Sequence, residues 1–244
     1  AAAIKVITPA DGAKAGQLFT TQPVIHLLDS QGNLVDTGNE AAATVNVSVS
    51  GSASLLAGHS SVVASGGVTR FNTDSSAALG LTGTAGNYTL TYTLDGTNIT
   101  DTQSIALAAG AAYKLSQNVA PASTVATGVT FSTDPSVKVL DQWNNWIENE
   151  NTATAKVALV QPNGTVGSYS ATAVKAVNGI ITFDGLNYVA TPATGYRLKF
   201  EFIGGNADRF ATSSAFEIVP GAPYEFAFIT TPSEARSDIE LATQ

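Results

Sequence analysis

One stretch of this chain is written twice, and that duplication constrains its fold more than any other feature. A shift of 112 residues carries Pro23-Val24-Ile25-His26-Leu27-Leu28-Asp29-Ser30-Gln31-Gly32-Asn33-Leu34-Val35 onto Pro135-Ser136-Val137-Lys138-Val139-Leu140-Asp141-Gln142-Trp143-Asn144-Asn145-Trp146-Ile147 without a gap. The same shift pairs Pro9 with Pro121, Gly16 with Gly128, Phe19 with Phe131, and Gly67-Val68-Thr69-Arg70-Phe71 with Gly179-Ile180-Ile181-Thr182-Phe183. A four-residue slip then aligns Gly86-Asn87-Tyr88-Thr89-Leu90 with Thr194-Gly195-Tyr196-Arg197-Leu198, as a shortened loop would produce. Self-similarity at a fixed period marks one structural unit used in series. The expected units are 1–112 and 113–223. Because Gly221-Ala222-Pro223-Tyr224 repeats the boundary Gly110-Ala111-Ala112-Tyr113, residues 224–244 read as the start of a truncated third repeat, or alternatively as a donated strand.

Within each unit the apolar residues alternate with period two, as in Ile25-His26-Leu27, Tyr88-Thr89-Leu90-Thr91-Tyr92 and Leu198-Lys199-Phe200-Glu201-Phe202. That period turns one face to a core and the other to water, which is the pattern of half-buried strands. Turn formers such as Asp95-Gly96, Asn163-Gly164, Asn178-Gly179 and Gly204-Gly205 separate the runs. No segment reads as a convincing helix; only Ser233 to Thr243 has some helical character. About 110 residues per unit, with seven or so short strands, predict an all-β chain of tandem immunoglobulin-like sandwiches. The connections at Ala108–Ala112 and Val219–Pro223 are short, so the units are expected end to end with little bending.

Hydrophobic residues make up 44% of the chain and charged residues 12%, which is enough for packed cores and too little charge for disorder. The formal charge is -8 and the few Lys and Arg are scattered singly, so nothing is built to track nucleic acid. No apolar run approaches the roughly 20 residues of a membrane span, so membrane insertion by this segment is not expected. Cys and Met are absent, and the Ala1-Ala2-Ala3 start would suit signal cleavage; a secreted, cell-surface location is the expectation.

The turn Asp29-Ser30-Gln31-Gly32-Asn33-Leu34-Val35 after an alternating strand resembles the D-x-x-G-N-x-V hallmark of bacterial Ig-like domains, found in invasin and intimin stalks, adhesins and surface-layer proteins. Its second copy keeps Asp141 and Asn145 but places Asn144 where the first has Gly32, and Asn tolerates the left-handed backbone such a turn needs. Gly86-Asn87-Tyr88-Thr89-Leu90 and Gly195-Tyr196-Arg197-Leu198 are similar to the G-x-Y-x-C stretch of an immunoglobulin strand, with Leu90 and Leu198 in place of Cys. The resemblance implies spacers, scaffolds and adhesive modules with no shared active site.

No nucleophile elbow, zincin helix or phosphate-binding loop is present, and the two imidazoles, His26 on an outward strand face and His59 in a Gly/Ser-rich loop, stand alone. Catalysis is not expected. Asp29 and Asp141 recur in the turn, followed by Asp36, Glu40, Glu148 and Glu150. Clustered carboxylates and Asn carbonyls are what Ca²⁺ needs, and a calcium site would use Asp141, Asn145, Glu148 and Glu150. The D-x-D-x-D-G spacing is missing, so the preferred reading is that each Asp bonds its own turn's N–H groups. Trp143, replacing Gln31 at the turn tip, is expected to be exposed, as a platform for a glycan or a contact to a neighbouring domain. Trp146 is expected in the core. Sequons at Asn46, Asn87, Asn98 and Asn163 permit glycosylation without predicting it.

Taken together, these features predict a non-enzymatic structural segment of a surface-layer or scaffold protein, whose partners are copies of itself or neighbouring domains. An adhesin stalk and a carbohydrate-binding accessory module centred on Trp143 are the alternatives. No cofactor other than Ca²⁺ is suggested.

Overall fold

The computed structural model describes residues 1–56, 60–71, 78–204, 209–223 and 225. The expected third repeat at 224–244, its helical tail and His59 therefore lie outside the described residues, apart from Glu225.

The chain folds as two β-sandwiches. In the first, strands Ala3–Thr8, Val24–Leu28 and Val68–Arg70 form one sheet, and Thr100–Leu107, Gly86–Leu94, Thr44–Val49 and Ser61–Val63 form the facing sheet, in those orders. Short strands Gln17–Leu18, Gly80–Thr82 and Ser54–Leu55 make a third, small sheet. The second sandwich repeats this plan: Lys114–Val119, Ser136–Leu140 and Ile180–Thr182 oppose a larger sheet built on Thr154–Val160 and Ala193–Ile203. In that larger sheet an early strand and the last one meet in a parallel pair, Thr124–Ala126 beside Phe216–Val219.

The duplicated register is visible in the ladders. Ala3 stands opposite Leu28 and Lys114 opposite Leu140, and both pairs of strands are interrupted at one place, between Val6 and Thr8 in the first and between Gln117 and Val119 in the second. Alternation does what period two requires: Ile25 and Leu27 are buried between half-buried neighbours, and Leu198, Phe200 and Phe202 on the longest strand are buried between half-buried or exposed ones. Each sandwich closes a core of its own, the first drawn from Ile4 to Leu107 and the second from Leu115 to Ile218. Phe183 packs on Phe200 with ring centroids 5.1 Å apart, and Phe131 meets Phe216 edge-on at 5.2 Å.

The strand resembling G-x-Y-x-C also brings its corner. Tyr88 donates its hydroxyl hydrogen to the Thr84 carbonyl and Tyr196 to that of Thr191, each at 2.7 Å. Leu90 and Leu198, standing in for the cross-sheet Cys, are fully buried, so the sheets are tied by apolar packing instead of a covalent bond. The strands outnumber the seven or so expected per unit because each unit adds pieces of two or three residues, too short to show a period. Among the described residues the helical structure is a single 3-10 turn, Asn39–Ala42.

Candidate functional site

The duplicated turn occupies two different settings. In both copies the aspartate closes the loop: the Asp29 N–H donates to the Asn33 carbonyl and that of Asp141 to Asn145. The fourth residue in each is left-handed, Gly32 at φ 84° and Asn144 at φ 69°, so the substitution keeps the geometry. Asp29 Oδ1 accepts from the Gln31 and Asn33 N–H groups at 2.9 and 2.8 Å, and Oδ2 from the Asn33 side-chain amide at 3.1 Å. These Asn33 bonds, the backbone N–H foremost, hold the Asp29 carboxyl below the usual carboxylate range.

The second copy is buried against the first sandwich. Asp141 has no exposed surface and Asn145 retains 6%. Asp141 Oδ1 accepts from the Trp143 and Asn145 N–H groups, and Oδ2 accepts at 2.8 Å both from the Asn145 amide and from the N–H of Gly110 in the connecting segment. Asn145 then reaches across: its amide donates to the Gly83 carbonyl at 2.9 Å, and its Oδ1 accepts from the Ala85 N–H at 2.8 Å. One Asp-Asn pair thus satisfies backbone groups of the second sandwich, the connector and the loop of the first. A carboxylate bonded to four N–H groups out of water is held far more firmly than a surface one.

Trp143 completes the contact. It is half-buried, packs against the first core, and sets its ring edge on Gly16, where it leaves no room for a β-carbon. This corrects the expectation of an exposed turn tip: the replacement of Gln31 by Trp143 serves the first sandwich, and the ring is not an open platform for a sugar. Trp146 also departs from expectation. It is half-buried beside the junction, donating from Nε1 to the Gly179 carbonyl at 3.2 Å under the Lys138 ammonium, 4.4 Å from its ring.

The residues proposed for calcium do not converge. Among the described residues no three His, Asp or Glu side chains approach as a ligand set. Both Asp141 oxygens face N–H donors, the wrong partners for a cation, and Glu150 Oε1 accepts from the Thr152 hydroxyl and the Thr152 and Ala153 N–H groups. That hydroxyl is the foremost cause holding Glu150 below its usual value. Glu148 is exposed on a groove of about 600 Å³ that Lys14 and Gln17 line from the other side. The turn therefore fits a protein joint and does not fit Ca²⁺. Millimolar Ca²⁺ should leave the thermal midpoint of either sandwich unmoved in differential scanning calorimetry; a rise of several degrees would restore the metal reading.

No family model and no curated protein matches the chain. Among solved structures it is similar to FdeC, a broadly conserved Escherichia coli adhesin, at 16% identity over 88% of this chain and 63% of that one, with a TM-score of 0.41. Invasin, a bacterial integrin-binding protein, matches at 13% identity over 89% of this chain and 39% of that one, TM-score 0.34. Domains 4–9 of the surface layer protein SbsC match at 16% identity over 90% and 31%, TM-score 0.27. The chain thus spans less than two thirds of the first two structures. At these identities and scores the Ig-like assignment rests on this chain's own strand order, core pairing and tyrosine corners.

Sequence reasoning found Asp141, Asn145 and Trp143 but not the groups that receive them. Gly83, Ala85 and Gly110 contribute backbone atoms, which no residue type advertises. Gly16 was visible as a landmark of the repeat, without any sign that a ring covers it.

Proposed function

We propose that this chain is a non-enzymatic structural segment of an extracellular cell-surface protein, in which Ig-like sandwiches are set one behind another at a fixed angle. The observation that supports this reading is the Asp141–Asn145 joint with Trp143 on Gly16, because a linker meant to swivel would not bury a carboxylate and an amide on its neighbour. The buried polar side chains of the joint, Asp141 and Asn145, are spent on the protein itself. Surface-layer and stalk roles both use such a joint. They part on association: a lattice component gains mass with concentration, whereas a stalk stays monomeric.

Small-angle scattering of the whole chain over a concentration series tests the reading. The wild type should fit one arrangement of the two sandwiches, and the pair of substitutions Asn145→Ala and Trp143→Ala should broaden it into an ensemble while both sandwiches stay folded. Scattering that already demands freely reorienting sandwiches in the wild type would sink the proposal.

A further inference from the structure

The first sandwich carries an unused copy of the same joint half. Asp29 and Asn33 hold one another through the bonds that Asp141 and Asn145 make, yet Asn33 and Gln31 are exposed, and among the described residues nothing takes the places of Gly110, Gly83 and Ala85. Among the described residues, Asp29 Oδ2 accepts from one N–H where Asp141 Oδ2 accepts from two, and the Asn33 Oδ1 and one amide hydrogen have no partner.

The backbone register extends the equivalence to the chain start. The Ala2 N–H donates to the Leu28 carbonyl as the Tyr113 N–H does to Leu140, so Ala1 corresponds to Ala112. A residue placed two positions ahead of Ala1 would therefore stand where Gly110 stands in the existing joint, within reach of Asp29.

We infer that the Asp29–Asn33 turn is a docking site for another Ig-like repeat, one that presents the loop and connector of the first sandwich: a linker N–H to Asp29 Oδ2, and a loop carbonyl and N–H to Asn33. The occupant is a repeat of the first type in series. With Gln31 where the second copy has Trp143, this joint is held by polar bonds without the aromatic cover of Gly16. The inference rests on the serial-joint reading above and extends it to a second surface.

The test places residues 1–111 ahead of Ala1 of the whole chain, giving three sandwiches with the native connector spacing at the new junction; the added sandwich carries a complete core. Scattering is compared for this chain and its Asn33→Ala and Asn145→Ala variants in the original numbering, with calorimetry confirming that every sandwich remains folded. Asn33→Ala removes only the reaching amide and leaves the backbone bonds of its turn in place. The expected result is a single extended arrangement for the parent, with Asn33→Ala freeing the first junction and Asn145→Ala the second. A parent whose first junction already swivels, or an Asn33→Ala variant indistinguishable from it, overturns the inference. If Asn145→Ala alone has no effect, it is the serial-joint reading that fails.

Discussion

Replacing Asp141 with Ala should cost about 3–5 kcal/mol of stability in the second sandwich, because the buried N–H groups of Gly110 and Asn145 lose their acceptor at roughly 1–3 kcal/mol each. Asp141→Asn should rescue little. Its amide nitrogen would face the Gly110 N–H, setting donor against donor. The identical change at Asp29 should be far milder, since water replaces the lost carboxylate at an exposed turn. Calorimetry on the three variants decides the matter, and equal losses at the two positions would show that burial against the first sandwich contributes nothing. The comparison is informative because the two turns share their aspartate, their asparagine and their backbone path.

A second large effect is expected at Phe200, which is fully buried and packed on the tilted ring of Phe183. Phe200→Ala should cost about 3–5 kcal/mol through lost burial and the cavity left behind. The loss belongs to one core, so chemical denaturation should show the transition of the second sandwich moving to lower denaturant while that of the first stays in place. A common shift of both would mean that the two cores unfold as one unit.

These two positions also show what the sequence makes legible. Phe200 is readable because alternation on a strand is a property of side chains in order along the chain, and the fold turns Leu198, Phe200 and Phe202 inward as that order requires. The repeat register, the corner tyrosines and the left-handed Asn144 were readable for the same reason. The joint was not. The acidic residues after Asp141 suggested a cation, and the tip position of Trp143 suggested an open ring, because neither the connector's N–H nor the bare Gly16 surface leaves a trace in local pattern. Contacts made by backbone atoms of a separate unit are set by how two folded bodies meet, which periodicity within one of them cannot encode.

The parallel pairing of an early and the last strand of the second sandwich bears on how the segment behaves under tension. Thr124–Ala126 lies alongside Glu217–Val219, and in the first sandwich Lys14 bridges Ala108 in the same parallel sense, with the Ala15 N–H donating to the Ala108 carbonyl and the Ala108 N–H to Ala13. Strands near the two ends of each sandwich thus run the same way. A pull along the chain drags them past one another in shear, loading their bonds together, whereas a hairpin pulled from its open end parts one bond at a time.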